Sequence, residues 1–347
     1  MRVIMMGTGP FAVPTLTRLY ESPHEVLALV TRPPRPLHGK TRAEANPMCE
    51  LAVAHGTRVH DPADVNAPHA RAVLASYQPE LFVVCDYGQI LSRSVLEIAR
   101  WGGINLHASL LPKYRGAAPI NWAIYHGETR TGVTVIHMTP QLDAGPAIVQ
   151  RDVAIGPDET AAELEPRLAQ LGAPAVLAAI DALAAGTAQS ILQDPALATR
   201  APRLKKEDGA VDWSRGAAAL ANQVRALVPW PKTFTYWQAS GGREPLRLIL
   251  DRVHVEAGTS GGGAPAEPNA AGESRGATGV SPVLPDRSQT GAAVPGTVLV
   301  ASGENLLVAT GEGVLAIDAL QPAGKRVLSA GEFLRGYGVQ PGERFGV

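Results

Sequence analysis

The residues with the clearest chemical potential are an amide and an imidazole set two positions apart. Ile104-Asn105-Leu106-His107 ends an apolar run, so strand alternation turns Asn105 and His107 to the same side. Thirty-six residues beyond His107, Gln141-Leu142-Asp143-Ala144-Gly145-Pro146 reads as a turn with one carboxylate in an otherwise apolar context. An Asp beside a His steadies the imidazolium and fixes its orientation. An amide donor beside a general acid suits addition to a carbonyl, with Asn105 holding a developing oxyanion and His107 giving or taking a proton. Taken singly, His107 reads as a structural histidine and Asn105 as a strand end. Together, at the carboxyl edge of a sheet where open α/β folds bind ligands, they read as a site. No Ser or Cys sits in a nucleophile elbow, which disfavours a covalent acyl-enzyme. The nine histidines form no H-E-x-x-H and the two cysteines no C-x-x-C, so no metal is expected.

A second motif precedes these. Gly7-Thr8-Gly9-Pro10-Phe11-Ala12 matches G-x-G-x-x-A between an apolar run, Val3–Met6, and helically spaced Val13, Leu16 and Leu19. A nicotinamide enzyme also needs an acid at the end of the next strand. Here that strand ends Val30-Thr31-Arg32, and Arg32 could at most face a 2′-phosphate. The alternatives are a tight strand-to-helix turn and a loop that meets another substrate.

The elements that must position these residues follow from the apolar pattern. Continuous runs at Val26–Val30, Leu81–Cys85 and Gly103–Leu106 alternate with helix-like stretches at 44–55, 62–77 and 92–99. Such alternation means a Rossmann-like, mostly parallel sheet with right-handed crossovers. Gly132–Met138 and Ala147–Gln150 read as two further strands, and a long helix is expected at about 160–184. We expect an α/β domain over 1–187, a linker over 188–206, and a small OB-like β-barrel domain over 207–347 made of short strands. Residues 257–294 are nearly all Gly, Ala, Ser, Pro and Thr, and are expected to be a disordered insertion in a barrel loop. The net charge of −1 confines any nucleic-acid partner to a local patch. No run approaches about 20 apolar residues, so no membrane partner is expected. Cys49 and Cys85 alone make no disulfide framework, which points to a reducing, cytoplasmic setting.

The polar residues lie in longer motifs. Asn105-Leu106-His107-Ala108-Ser109-Leu110-Leu111-Pro112, Tyr114-Arg115-Gly116-Ala117-Ala118-Pro119-Ile120 and Leu142-Asp143-Ala144-Gly145 resemble the folate-dependent formyltransferases. Trp230-Pro231 and Leu320-Gln321-Pro322-Ala323-Gly324-Lys325 resemble the branch of that family acting on initiator tRNA. The likeness spans the chain apart from the insertion. It implies transfer of a formyl group from 10-formyltetrahydrofolate to the α-amine of methionine on initiator tRNA. The same superfamily also formylates amino sugars and ribonucleotide amines.

Carried over by motif, Asn105, His107 and Asp143 match the family's catalytic residues. The folate pocket falls on Tyr87, Gly88, Gln89, Ile90 and Leu91, on Ser109, Leu110, Leu111 and Pro112, and on Met138, Thr139, Pro140, Gln141 and Leu142. The tRNA-facing loop of the family falls on 32–42, giving Arg32, Arg35, Lys40 and Arg42 as phosphate contacts, which Lys205, Lys206, Lys325 and Arg326 extend. Asp86 stands before Tyr87 where the family commonly has a small residue, so it bears on pterin binding if it reaches the pocket. A monomer is expected.

Overall fold

The most apolar runs lie at the centre of a sheet because only central strands are covered on both faces. The computed structural model describes residues 1–34, 46–238, 244–257 and 293–346. The chain divides into two compact units, Met1–Leu204 and Lys205–Val347.

In the first unit the elements are β1 (Arg2–Met6), α1 (Val13–Tyr20), β2 (Glu25–Val30), α2 (Pro47–Ala54), β3 (Arg58–His60), α3 (Pro68–Ser76), β4 (Leu81–Cys85), α4 (Arg93–Leu96), β5 (Gly103–His107), β6 (Arg115–Gly116), α5 (Pro119–Tyr125), β7 (Arg130–His137), β8 (Ala147–Ala154), α6 (Ala161–Ala184) and β9 (Arg200–Ala201). Seven of the strands make one sheet in the order β3-β2-β1-β4-β5-β7-β8. Strands β1 to β5 are parallel neighbours, β7 runs antiparallel to β5, and β8 runs antiparallel to β7. The sheet is therefore parallel through its core with an antiparallel edge.

Helix α6 opens on a reciprocal capping box. Thr160 Oγ1 accepts from Glu163 N, and Thr160 N donates to Glu163 Oε2 at 2.9 Å. By length and composition α6 is apolar enough to cross a membrane, against the expectation that no segment would be. Yet Leu164, Leu168, Val176, Ile180 and Leu183 are buried, and the helix packs on α1, β7 and β8. Its Gly172 sits so close over Leu106 of β5 that a Cβ there would strike the leucine.

The second unit holds α7 (Ala217–Ala226), β10 (Thr233–Gln238), β11 (Leu246–Val255), β12 (Val298–Ser302), β13 (Asn305–Ala309), β14 (Val314–Pro322), β15 (Leu328–Ser329), α8 (Ala330–Tyr337) and β16 (Arg344–Phe345). Its antiparallel sheet runs β12-β13-β14-β11-β10-β16, with β15 on β14. A bridge between Thr297 and Arg344 brings its two ends together, so the sheet is a nearly closed barrel. Trp213, Trp237, Leu248, Leu315, Ile317, Phe333 and Phe345 fill it. Most of the insertion expected at 257–294 lies outside the described residues, between β11 and β12.

Candidate active site

Strand β5 does what its spacing predicts. Leu106 is buried beneath α6, so Asn105 and His107 project from the opposite face. Their antiparallel neighbours in β7 are Ile136 and Thr134, and β7 leads into the turn that carries Asp143. That turn needs an unusual backbone. Asp143 has φ +49°, a left-handed conformation that Asp tolerates better than most residues. At Gly145 a Cβ would fall on the His137 carbonyl oxygen, so only glycine brings the chain back this tightly.

The three side chains converge. Asn105 Nδ2 donates to Asp143 Oδ1 at 3.5 Å, and His107 Nδ1 lies 3.6 Å from Asp143 Oδ2. The backbone N–H of Gly116 also donates to Oδ2, at 2.9 Å. On its other side the imidazole donates from Nε2 to the Tyr114 carbonyl at 2.8 Å. A carbonyl only accepts, so Nε2 carries the ring proton of this contact, and Nδ1 is the nitrogen that faces Asp143. Tyr114 is held in turn: its N–H donates to Thr199 Oγ1 at 2.8 Å, and its hydroxyl to Glu128 at 2.9 Å.

Around this centre the predicted pocket residues divide. Tyr87 is buried in the core, where desolvation pushes its phenol up to about 12 against the opposing charge of Arg32. Gln89 spends its amide on Val65 N and Pro62 O, and Leu91 is buried. Gly88 and Ile90 are exposed between them, and Arg32 lies across Gly88. Ser109 is fully buried and donates to Lys113 O; Leu111 is also buried, its N–H on Thr134 Oγ1, whereas Leu110 and Pro112 are part-exposed. Met138 donates its N–H to Gly103 O and packs on the core, and Thr139 caps Gln141 O. Pro140, Gln141 and Leu142 are exposed at the turn's tip.

The glycine loop is a packing device. A Cβ at Gly7 would meet Cys85 O at 2.8 Å, and one at Gly9 would strike the Asp86 carboxylate. Asp86 therefore faces that loop. Its pKa is pushed up to about 6, first by desolvation and then by the charge of Glu165. Thr8 ties the loop together, donating from Oγ1 to Tyr87 O and accepting from Arg32 N.

Of the predicted tRNA contacts, Arg32 is part-buried, and Lys205, Lys206, Lys325 and Arg326 are exposed. Arg326 is committed to Glu332 at 2.7 Å. Arg35, Lys40 and Arg42 lie outside the described residues. Two residues of the site escaped sequence reasoning, Gln193 and Thr199. Gln193 Nε2 donates to the carbonyls of both Asp143 and Gly145.

A parallel sheet presenting amide, imidazole and carboxylate at its edge, followed by a small barrel, defines a class. The profile described as Formyl transferase matches residues 1–180, and that described as Formyl transferase, C-terminal domain, matches 203–338. The chain belongs to the formyl transferase family. Among its relatives is the methionyl-tRNA formyltransferase of Geobacter metallireducens, 39% identical over 99% of this chain and 98% of that protein. The methionyl-tRNA formyltransferase of Rhodopirellula baltica is 36% identical over 99% of this chain and 96% of its own. Among solved structures the fold resembles WlaRD, a sugar 3N-formyl transferase, with TM-score 0.62 at 13% identity, over 94% of this chain and 99% of that one. It also resembles the N-formyltransferase from Helicobacter canadensis, with TM-score 0.62 at 14% identity, over 91% and 98%.

Proposed function

We infer that this chain transfers the formyl group of 10-formyltetrahydrofolate to the α-amine of methionine carried on initiator tRNA. The observation that carries the reading is likeness through both units. Relatives named for that activity match at 36–40% identity across 97% or more of the chain. The folate supplies an activated one-carbon unit on N10.

The residues then divide the work. Asn105, with one amide N–H directed at Asp143, offers the other to the attacked oxygen and stabilises the charge developing there. The amine nitrogen bonds to the formyl carbon as the bond to N10 breaks. His107, its Nε2 proton tied to Tyr114, moves the proton that N10 gains through Nδ1. Asp143 orients that nitrogen and organises water. In this reading the turns at 87–91 and 138–142 meet the folate largely through backbone groups, and Ser109–Pro112 carries its bound chain. Arg32, Arg35, Lys40, Arg42, Lys205, Lys206 and Lys325 meet tRNA phosphates, while Arg326, held by Glu332, contributes least. The enzyme works in the cytoplasm as a monomer, which sedimentation equilibrium checks.

The deciding experiment follows radiolabelled formyl from the folate donor to methionyl-initiator tRNA, with uncharged tRNA, an amino sugar nucleotide and a ribonucleotide amine in parallel. Label on the charged tRNA alone is expected. Label on a small amine alone overturns the reading.

A further inference from the structure

We propose that Gln193 is a positioning residue for formyl transfer, locking the turn that carries Asp143 to the strand that carries Gly116. The proposal rests on reading Asn105, His107 and Asp143 as catalytic. Gln193 lies part-buried between two exposed neighbours, Leu192 and Asp194. One amide serves three groups. Its Nε2 donates to Asp143 O at 2.8 Å and to Gly145 O at 2.7 Å. Its Oε1 accepts from Arg115 Nε at 3.1 Å and Nη2 at 2.7 Å. Arg115 is followed by Gly116, whose N–H holds Asp143 Oδ2 at 2.9 Å. A closed ring results: carboxylate to Gly116, chain to Arg115, guanidinium to Gln193, amide back to the carbonyl of Asp143.

The ring has a physical purpose. Asp143 sits at φ +49°, a backbone state that persists only when its surroundings over-determine it. Without the amide, the carbonyls of Asp143 and Gly145 lose a common donor and the turn is free to relax. The 3.6 Å approach of Oδ2 to His107 Nδ1 would go with it. Misplacement by about 1 Å at a reacting centre is enough to slow a reaction by about 10²-fold. The residue type is also specific. Glutamate keeps the acceptor for Arg115 but cannot donate to two carbonyls, and asparagine is one methylene short.

Steady-state transfer kinetics with both substrates test this in Gln193→Ala, Gln193→Glu, Arg115→Ala, the double alanine variant and Asp143→Asn. In Gln193→Ala, kcat is expected to fall by about 10–100-fold, with both KM values within about twofold and the melting temperature nearly unchanged. Gln193→Glu should lose at least as much, and the double alanine variant no more than Gln193→Ala, because Arg115 acts through the same amide. Wild-type kcat in both Gln193 variants, with Asp143→Asn inactive, overturns the proposal and leaves the catalytic reading standing. A drop in kcat matched by a drop in folded protein, or by an equal rise in KM, overturns it too. Wild-type turnover in Asp143→Asn sinks the underlying reading instead.

Discussion

Gly116 donates its backbone N–H to the same oxygen of Asp143 that faces His107, so a part-buried strand of two residues takes part in setting the carboxylate. Gly116 has φ +132°, and a Cβ there would strike the Ala201 carbonyl in β9. Gly116→Ala should therefore displace β6, lower kcat by about 10²-fold and destabilise the first unit by about 2 kcal/mol. Kinetics and a thermal melt report both effects; an unaltered kcat would separate Gly116 from the chemistry.

Asn105→Ala removes the amide proposed to meet the developing charge while leaving β5 paired on both sides. Turnover should drop by about 10²–10³-fold with the fold retained, the usual loss for one such donor. Wild-type turnover would remove Asn105 from the mechanism.

Asp86 gives a pH-dependent prediction with a definite sign. Its pKa in the fold, about 6, lies above its ordinary value, so the folded chain holds that proton more tightly than the unfolded chain. Stability from this group is full at low pH and lost as pH rises toward 6. Asp86→Asn should raise the melting temperature at pH 7.5 by about 2–4 °C, or about 1 kcal/mol once its exposure to solvent is allowed for. The gain should vanish near pH 4. Equal melting temperatures at pH 7.5 would show that the carboxylate carries no penalty.

Lys205 and Lys206 are exposed with no acidic side chain against either ammonium among the described residues, whereas Arg326 is already paired. The double variant Lys205→Ala/Lys206→Ala should flatten the slope of log affinity for tRNA against log salt by about 2, with the KM for folate unchanged. Arg326→Ala should alter it less. A reversed order, measured by filter binding over a salt series, would relocate the phosphate contacts.

Excising 258–292 should leave turnover within a few-fold, since the ladders joining β11 to β14 and β12 to β13 close on either side of it. An inactive product would give those residues a role in the reaction.

What the sequence reveals of the fold and the site divides along physical lines. Asn105 and His107 were legible because period-two geometry on a buried strand leaves their side chains no freedom of side. Asp143 was legible as a lone acid in an apolar turn. Strand direction was less so: a buried apolar run reads alike in both senses, and β7 is turned around only by α5 and the loop before it. Helix α8 carried a readable signal, a capping box from Ser329 to Glu332 and Gly338 beyond its end, which its short length obscured. Gln193 and Thr199 carried none. A single amide bridging two turns has no periodicity, and its partners come near only because the chain doubles back, Ile191 beside Ala147 and Arg200 beside Arg115.

The matched family regions stop at 180 and resume at 203, yet the whole intervening stretch is folded into the first compact unit. A chimera spliced at Gly186 would inherit every strand of the seven-stranded sheet and forfeit the amide beneath its acid. One spliced at Leu204 would keep both. The residues between the recognised modules thus travel with the catalyst, and exchanging barrels between relatives requires a seam on their far side.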